Sequence, residues 1–274
     1  MSTTTSPTID LSVRPIPFGR EIRVELRKMI DTRGGVWLFA LTGLFIVLAM
    51  GLTLLVLGLN DEITITAGGF AEVMALPVSI LLPVFAILIV SSEWSQRTHL
   101  TTFTLQPNRT RVVLAKFVAV TLLALATMVV AIAFGALGNV LYGAITPNEV
   151  VWNVSAKDLA WTVVQQLLFF WMAFALAMLL LNTPAAIAVF YVAALILPIM
   201  VYPILMALFG WARDLLPWLN LDYAASYLRT GRNFMGDAID VGVVDYARFA
   251  VTILLWIVIP GVLGFLRIRN TEVK

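Results

Sequence analysis

Apolar positions along this chain gather into six runs, at about 36 to 58, 72 to 92, 117 to 141, 158 to 181, 185 to 208 and 248 to 266. A bilayer core about 30 Å thick needs roughly 20 such residues per helix, so each run predicts one membrane span. The pattern is therefore all-α: one transmembrane domain over 36 to 274, preceded by a polar segment over 1 to 35. That segment ends in PFGREIRVELRKMIDTR, residues 17 to 33. At 100° per residue Phe18, Ile22, Leu26, Met29 and Ile30 share about a third of the circumference, with Arg20, Arg27, Lys28 and Asp31 opposite, which predicts an amphipathic helix lying at the membrane interface. Gly34 and Gly35 are expected to break it before Trp37 enters the bilayer.

Two polar intervals are longer than a turn requires. Antiparallel helices need only about 2 to 8 connecting residues, and Asn182-Thr183-Pro184 is a link of that kind. The first interval, EWSQRTHLTTFTLQPNRTRVVLAK at 93 to 116, is far longer. Glu93 and Arg97 stand i,i+4 with the acid first, the favoured order for a helical ion pair. Trp94, Thr98, Thr101 and Leu105 share a neighbouring face, and Pro107-Asn108 ends the segment, predicting a surface helix of about a dozen residues. The second interval, 209 to 247, carries Trp211, Trp218, Tyr223, Tyr227, Phe234 and Tyr246, and aromatics of this kind favour a membrane interface. Within it a helix is expected to start at Pro217 and stop at Gly231.

Prolines 77, 83, 198, 203 and 260 lie inside the runs and predict kinks. Away from their ends the runs hold no Asp, Glu, Lys or Arg; the polar residues that stand out are Asn139, Gln165 and Gln166. Intramembrane charge marks ion pathways and proton relays, so this pattern argues against an ion-coupled carrier.

Composition removes further classes. With 61% hydrophobic and 12% charged residues and a mean hydropathy of +0.95, there is too little polar surface for a water-soluble globule. The chain has no cysteine and one histidine, which excludes disulfides, thiolate sites and multi-histidine metal centres. A net charge of +2 lends nucleic-acid binding no support. Neither a phosphate-binding GxxxxGK[ST] loop nor a hydrolase or kinase signature is present, and no catalytic or metal residues are assigned. Asp237 and Asp240 form a D-x-x-D beside Arg229 and Arg232, which keeps a membrane transferase acting on a lipid as an alternative.

Charge also orients the chain. Thirteen Lys and Arg lie in the N-terminal segment, the 93 to 116 interval and the tail; five (Lys157, Arg213, Arg229, Arg232 and Arg248) lie on the other side. The excess places both termini and the 93 to 116 interval in the cytoplasm. The first 33 residues have no signal-peptide pattern, so the N-terminus is expected to be retained.

The succession of a span ending in Glu93, the EWSQRT stretch and TTFTLQPNRTRVVLAK entering the next span resembles the permease subunits of ABC-2 type transporters, particularly actinobacterial ones. LLWIVIPGVLGFLRIRNTEVK, with Trp256, Pro260 and Gly264, is similar to their last span. The resemblance implies the membrane subunit of an ATP-binding cassette exporter in a bacterial plasma membrane, acting as a pair of two copies, a homodimer. It implies a coupling helix in which Glu93, Trp94, Arg97, Thr98, Thr101 and Leu105 engage a separate ATPase subunit, with ATP and magnesium held there and no cofactor in this chain. It further implies an outer loop over the exit of the pathway, which Gln165 and Gln166 are candidates to line; the family motifs are silent on substrate, and an apolar pathway lined by aromatics and amides suits an amphipathic or lipidic one. A non-transporting anchor for an ATPase is the remaining alternative.

Overall fold

The computed structural model describes residues 16–60, 64–96, 98–146, 150–232 and 236–270, the side chain of His99 excepted. Among these, six helices are long and apolar enough to cross a membrane: Arg33–Leu59, Ala67–Ser95, Arg109–Ile145, Ala156–Leu180, Thr183–Leu208 and Val243–Asn270, spans 1 to 6. The expected runs fall inside them except for Leu181, which adopts a left-handed φ of 50° and ends span 4. Asn182 then caps the next helix by accepting from the Ala185 N–H at 3.0 Å, so the link between spans 4 and 5 is a tight turn.

Helix α1 is Phe18–Ile30, and α2, Arg33–Leu59, is span 1. The break lies at Asp31-Thr32, earlier than the glycines suggest. Thr32 caps α2 through the Gly35 N–H at 3.1 Å, which puts Gly34 and Gly35 inside the first turn of the span. A Cβ at Gly35 would stand 1.8 Å from the Met29 carbonyl oxygen, so glycine is needed for close approach and leaves the helix intact.

Span 2 divides into α3, Ala67–Leu81, and α4, Pro83–Ser95. The division falls where Pro83 has no N–H for the helical ladder. The polar connection beyond is shorter than expected: α5 is only His99–Leu105, and Glu93 and Trp94 belong to the last turn of α4. Span 3 is the unbroken α6, Arg109–Ile145. Its 37 residues reach about 55 Å, well beyond a bilayer core. Span 4 is α7, Ala156–Leu180.

Of the prolines expected to kink the spans, Pro77 lies inside an unbroken α3, while spans 5 and 6 contain widened, π-helical turns around Pro198 and just before Pro260, a local form often tied to lost ladder bonds. Span 5 runs through α8, Thr183–Tyr191, a π segment at Val192–Val201 containing Pro198, and α9, Tyr202–Leu208. Two short helices follow, α10 at Gly210–Leu219 and α11 at Leu221–Thr230. Pro217 sits inside α10 and starts nothing; Asn220 opens α11 by accepting from the Tyr223 N–H at 2.8 Å. Gly231, at φ 63°, ends α11 as expected. Span 6 comprises α12, Val243–Ile253, a π turn at Leu254–Val258, and α13, Ile259–Asn270.

Spans 2 and 4 are the most enclosed, whereas spans 1, 5 and 6 present apolar side chains outward, among them Leu44, Leu52, Ile199, Met200, Val262 and Leu263. Such a surface suits lipid or another apolar chain. Helix–helix contact in lipid depends on close backbone approach. At Gly264 a Cβ would lie 2.6 Å from backbone atoms of Met178 and Leu179, so spans 4 and 6 touch main chain to main chain. At Gly261 the nearest atom would be 3.7 Å away, an ordinary contact. Gly264→Ala should therefore destabilise the protein by about 1–3 kcal/mol, while Gly261→Ala should be neutral or slightly stabilising. Thermal unfolding of the two variants in the same detergent measures the contrast.

Candidate functional site

We call the end of the bundle that carries α1, α5 and Asn270 the near end. Here α1 does more than present an apolar stripe to a membrane. Met29 is buried in the protein core, and Ile22 and Leu26 pack against that core. Phe18 lies beneath the Arg111 guanidinium at 5.9 Å. The stripe expected to face lipid thus faces the bundle, while Val24 and Ile30 stay exposed.

The opposite edge of that stripe builds a ring of alternating charge. Lys116, two turns into α6, places its ammonium 2.8 Å from Glu25, 2.8 Å from Glu93 and 2.9 Å from the Ile89 carbonyl. All three of its donors are used. Lys28 closes the ring, 2.7 Å from Glu25 and 2.8 Å from Glu93. The side chains of Lys116 and Glu25 are each 6% exposed; Lys28, at 40%, forms the open rim. Burial works against the charge on Lys28, but the Glu25 and Glu93 carboxylates outweigh it and hold its pKa above the ordinary value. Three separate elements, α1, α4 and α6, are joined by four charges that sum to zero.

A second set of contacts fixes α5. The Trp94 and Phe103 rings lie 6.3 Å apart, and the Arg109 guanidinium covers Phe103 at 5.0 Å. The same guanidinium donates to the Ile268 and Arg269 carbonyls at 2.8 and 2.9 Å, at the C-terminal end of span 6, where a cation is favoured. Gln106 donates to Glu21 at 2.7 Å, and Glu21 also pairs with Arg111 at 3.0 Å. Phe103 thereby joins α5 to the end of α4 and the start of α6, and the residue after the helix, Gln106, reaches α1. The segment leaves Thr98, Thr101, Thr104 and Leu105 exposed, Leu105 at 77%. A cavity of about 490 Å³ lies between the ring and this helix, lined in part by Lys28, Phe85, Glu93, Thr98 and Thr101.

Of the residues expected at this site, Glu93 and Trp94 point inward, Thr98 and Thr101 are exposed along the cavity, and Leu105 is exposed away from it. Arg97 lies outside the described residues, as do Phe234 and the final four positions. The described partners of Glu93 are Lys28 and Lys116. Neither these lysines nor Glu25 stands out in hydropathy. The available signal is the i,i+4 pair of acids, Glu21 and Glu25, on a basic helix, matched by Arg111 and Lys116 in the interval that follows span 2.

Gln165 and Gln166 lie at the opposite, far end. Gln165 donates to Asp222 of α11, and Gln166 is buried beside it. Burial pushes the Asp222 carboxyl above its ordinary pKa, against the opposing influence of Arg229 and Gln165. Burial, with help from Asp222, pushes Tyr223 up to about 12. Its hydroxyl therefore stays a donor and binds the Pro198 carbonyl at 2.6 Å. Trp256 in the span 6 π turn donates to the Leu219 carbonyl at 2.7 Å. The outer helices are thus tied to the irregular turns of spans 5 and 6. Asp237 and Asp240 are both exposed, and among the described residues no group of three potential metal ligands occurs.

Removing one member of a buried ion pair costs about 3–5 kcal/mol because its partner stays buried and uncompensated. Lys116→Met should approach that loss, and Glu25→Leu should be similar. The double variant should lose less than their sum, giving a coupling of about 0.5–3 kcal/mol in a double-mutant cycle. Additive losses would show that the two groups act separately. Asp222 gives a pH signature: a carboxyl with a raised folded pKa loses stability as pH rises from the ordinary carboxylate range through the folded value. Asp222→Asn should therefore be the more stable protein at neutral pH, the advantage fading as pH falls to that range, read as the difference in unfolding midpoint.

In comparisons with known proteins, no family model and no curated sequence matches this chain. The chain is a polytopic α-helical membrane protein of a shape consistent with transport in general.

Proposed function

We propose that this chain is the membrane subunit of an ATP-binding cassette exporter of the ABC-2 permease type, moving an amphipathic or lipidic substrate while a separate ATPase supplies the energy. The observation that carries the reading is the placement of α5 at the near end, where Phe103 packs on Trp94 and Arg109 while Leu105 stays exposed. A partner pressing on Leu105 acts on a helix joined through Phe103 to the end of span 2 and the start of span 3. ATP drives such a change only if it favours one state of the assembly, as it does when it closes a pair of ATPase subunits. The 13 to 5 charge bias supports a cytoplasmic near end in a bacterial plasma membrane. The exposed apolar sides of spans 1, 5 and 6 support pairing with a second copy.

Co-purification with a co-expressed ATPase tests the docking surface. Leu105→Glu and Arg97→Glu should each reduce ATPase recovery at least about tenfold, a change of about 1.4 kcal/mol in binding. The Trp94→Ala/Leu105→Ala pair should act in the same direction by loosening Phe103 as well as removing surface. Undiminished recovery in all three would remove α5 from the interface. A chain that retains its ATPase yet supports no flux in proteoliposomes would instead be an anchor.

A further inference from the structure

Helix α1 has two faces, and the fold uses one of them. Phe18, Ile22, Leu26 and Met29 turn toward the bundle. At 100° per residue Arg20, Arg23 and Arg27 fall within a sector of about 60° on the opposite side, bordered by Ile30 and Val24. All five are exposed, and none of the three arginines has an ion-pair or hydrogen-bond partner among the described residues. Arg33, in the first turn of span 1, continues the strip and is likewise exposed without a described partner. The acid beside this strip is Asp31, at the break between the two helices.

The setting of α1 bears on what the strip meets. Glu21 pairs with Arg111 and Glu25 with Lys116, so successive turns of α1 meet successive turns of α6 and the two helices run side by side. Those turns begin a span of 37 residues, about 25 Å longer than a bilayer core. The start of α6 therefore stands at the level of the head groups, and α1 flanks it there with its arginines turned away from the bundle. The same surface runs on into span 1. Trp37 lies one turn beyond Arg33 and is 68% exposed, and Leu41 and Leu44 follow it on the outward apolar side. An exposed tryptophan at the start of a span marks the interface. Guanidinium groups at that depth meet phosphates, which they bind through paired N–H donors, and an anionic leaflet attracts each of them. A protein docked on α5 would approach another side of the helix, because Lys28, which borders the cavity next to α5, stands about 100° round α1 from Arg27.

We propose that the outer face of α1, formed by Arg20, Arg23 and Arg27 and continued by Arg33, binds the head groups of anionic phospholipids. The apolar side of α1 was expected to meet the membrane; the basic side does so instead. This goes beyond the export reading, because it concerns the bilayer in which the chain sits and not its cargo, and it requires no ATPase. Failure of the docking experiment would leave it standing, and its own failure would leave docking standing.

The test is native mass spectrometry of the delipidated full chain, titrated separately with phosphatidylglycerol and phosphatidylcholine. Phosphatidylglycerol should bind at least about tenfold more tightly. The advantage should shrink as ammonium acetate rises from about 0.1 M to about 1 M and the screening length falls from about 10 Å to about 3 Å. Arg20→Gln/Arg23→Gln/Arg27→Gln should abolish the preference, and the corresponding triple lysine variant, which keeps the charge, should retain most of it. Lys157→Gln/Arg269→Gln, which removes exposed charge elsewhere, should bind as the wild type does. Equal binding of the two lipids by the wild type, a preference that survives the glutamine variant, or one lost equally in the control would overturn the proposal. A surviving preference accompanied by lost ATPase recovery would assign the strip to a protein partner instead. The three arginines have no described partners, so the glutamine variant should unfold at the wild-type midpoint. If it unfolds earlier, Arg23→Gln alone decides: it should cut the preference about twofold, and an undiminished preference overturns the proposal.

Discussion

Two lysines and two glutamates at the near end fix the register in which three packed elements meet. Glu25 and Lys28 come from the amphipathic helix, Glu93 from the last turn of span 2 and Lys116 from the start of span 3. Removing charges from water is expensive, and their mutual attraction often does no more than offset that cost. The value of the ring lies in what it forbids. A one-residue slide of α4 would carry Glu93 away from both lysines, and a rotation of α1 would withdraw Glu25 from Lys116. Either motion leaves a charge buried without its partner. The end of span 2 therefore keeps its register against α1 and α6 through every small displacement, and the helix that follows it inherits that register.

The far end is assembled differently. Proline and π-helical turns interrupt spans 5 and 6, and the outer helices reach those turns through single hydrogen bonds from Tyr223 and to Leu219. Such contacts are fewer than those of the ring; the Tyr223 bond is buried and the Trp256 bond exposed. The middle of the bundle, with almost no ionisable side chains, is held by shape, with buried aromatics such as Phe170 and Phe174 in span 4, and toward the near end Gly264 meets Met178 and Leu179. Charged pairs collect at the two ends, where they keep part of their solvation, while the interior uses neutral bonds such as Trp171 to Thr121 at 3.0 Å.

Hydropathy made the six spans legible because each sums the preferences of some twenty residues, so an error at one position hardly moves the average. The same averaging hid the ring. Lys116 counts as one more basic residue beside a span, and Glu25 and Lys28 as the polar side of a surface helix; nothing local states that α1 lies along α6. Single-residue signals fared less well where two mechanisms were available. Glycine at 34 and 35 suggested a break, yet the Thr32 cap starts the helix earlier and Gly35 serves a close approach. Pro217 suggested a helix start, yet Asn220 supplies the capping oxygen three residues later. Trp94 fell on a helical face shared with Thr98 and Leu105, but the chain turns between them, and the ring packs inward on Phe103.

Span 2 connects the two ends through its weakest point. Its second half, α4, carries Glu93 and leads to α5; its first half, α3, carries Glu72 and Ser79 at a far-end cavity of about 170 Å³. Between them Pro83 lacks the N–H that would bind the Ser79 carbonyl four residues back, so the ladder is interrupted beside a residue that lines the pocket. A displacement applied at α5 reaches α4, α6 and α1 together because the ring joins them. It reaches α3 by two routes, across Leu82, where one backbone constraint has been removed, and through α6, whose Gly135 and Gly138 lie against Ala71 and Phe70 of α3. A push at the near end thus meets a span whose second half moves with the charged ring and whose first half is held by span 3.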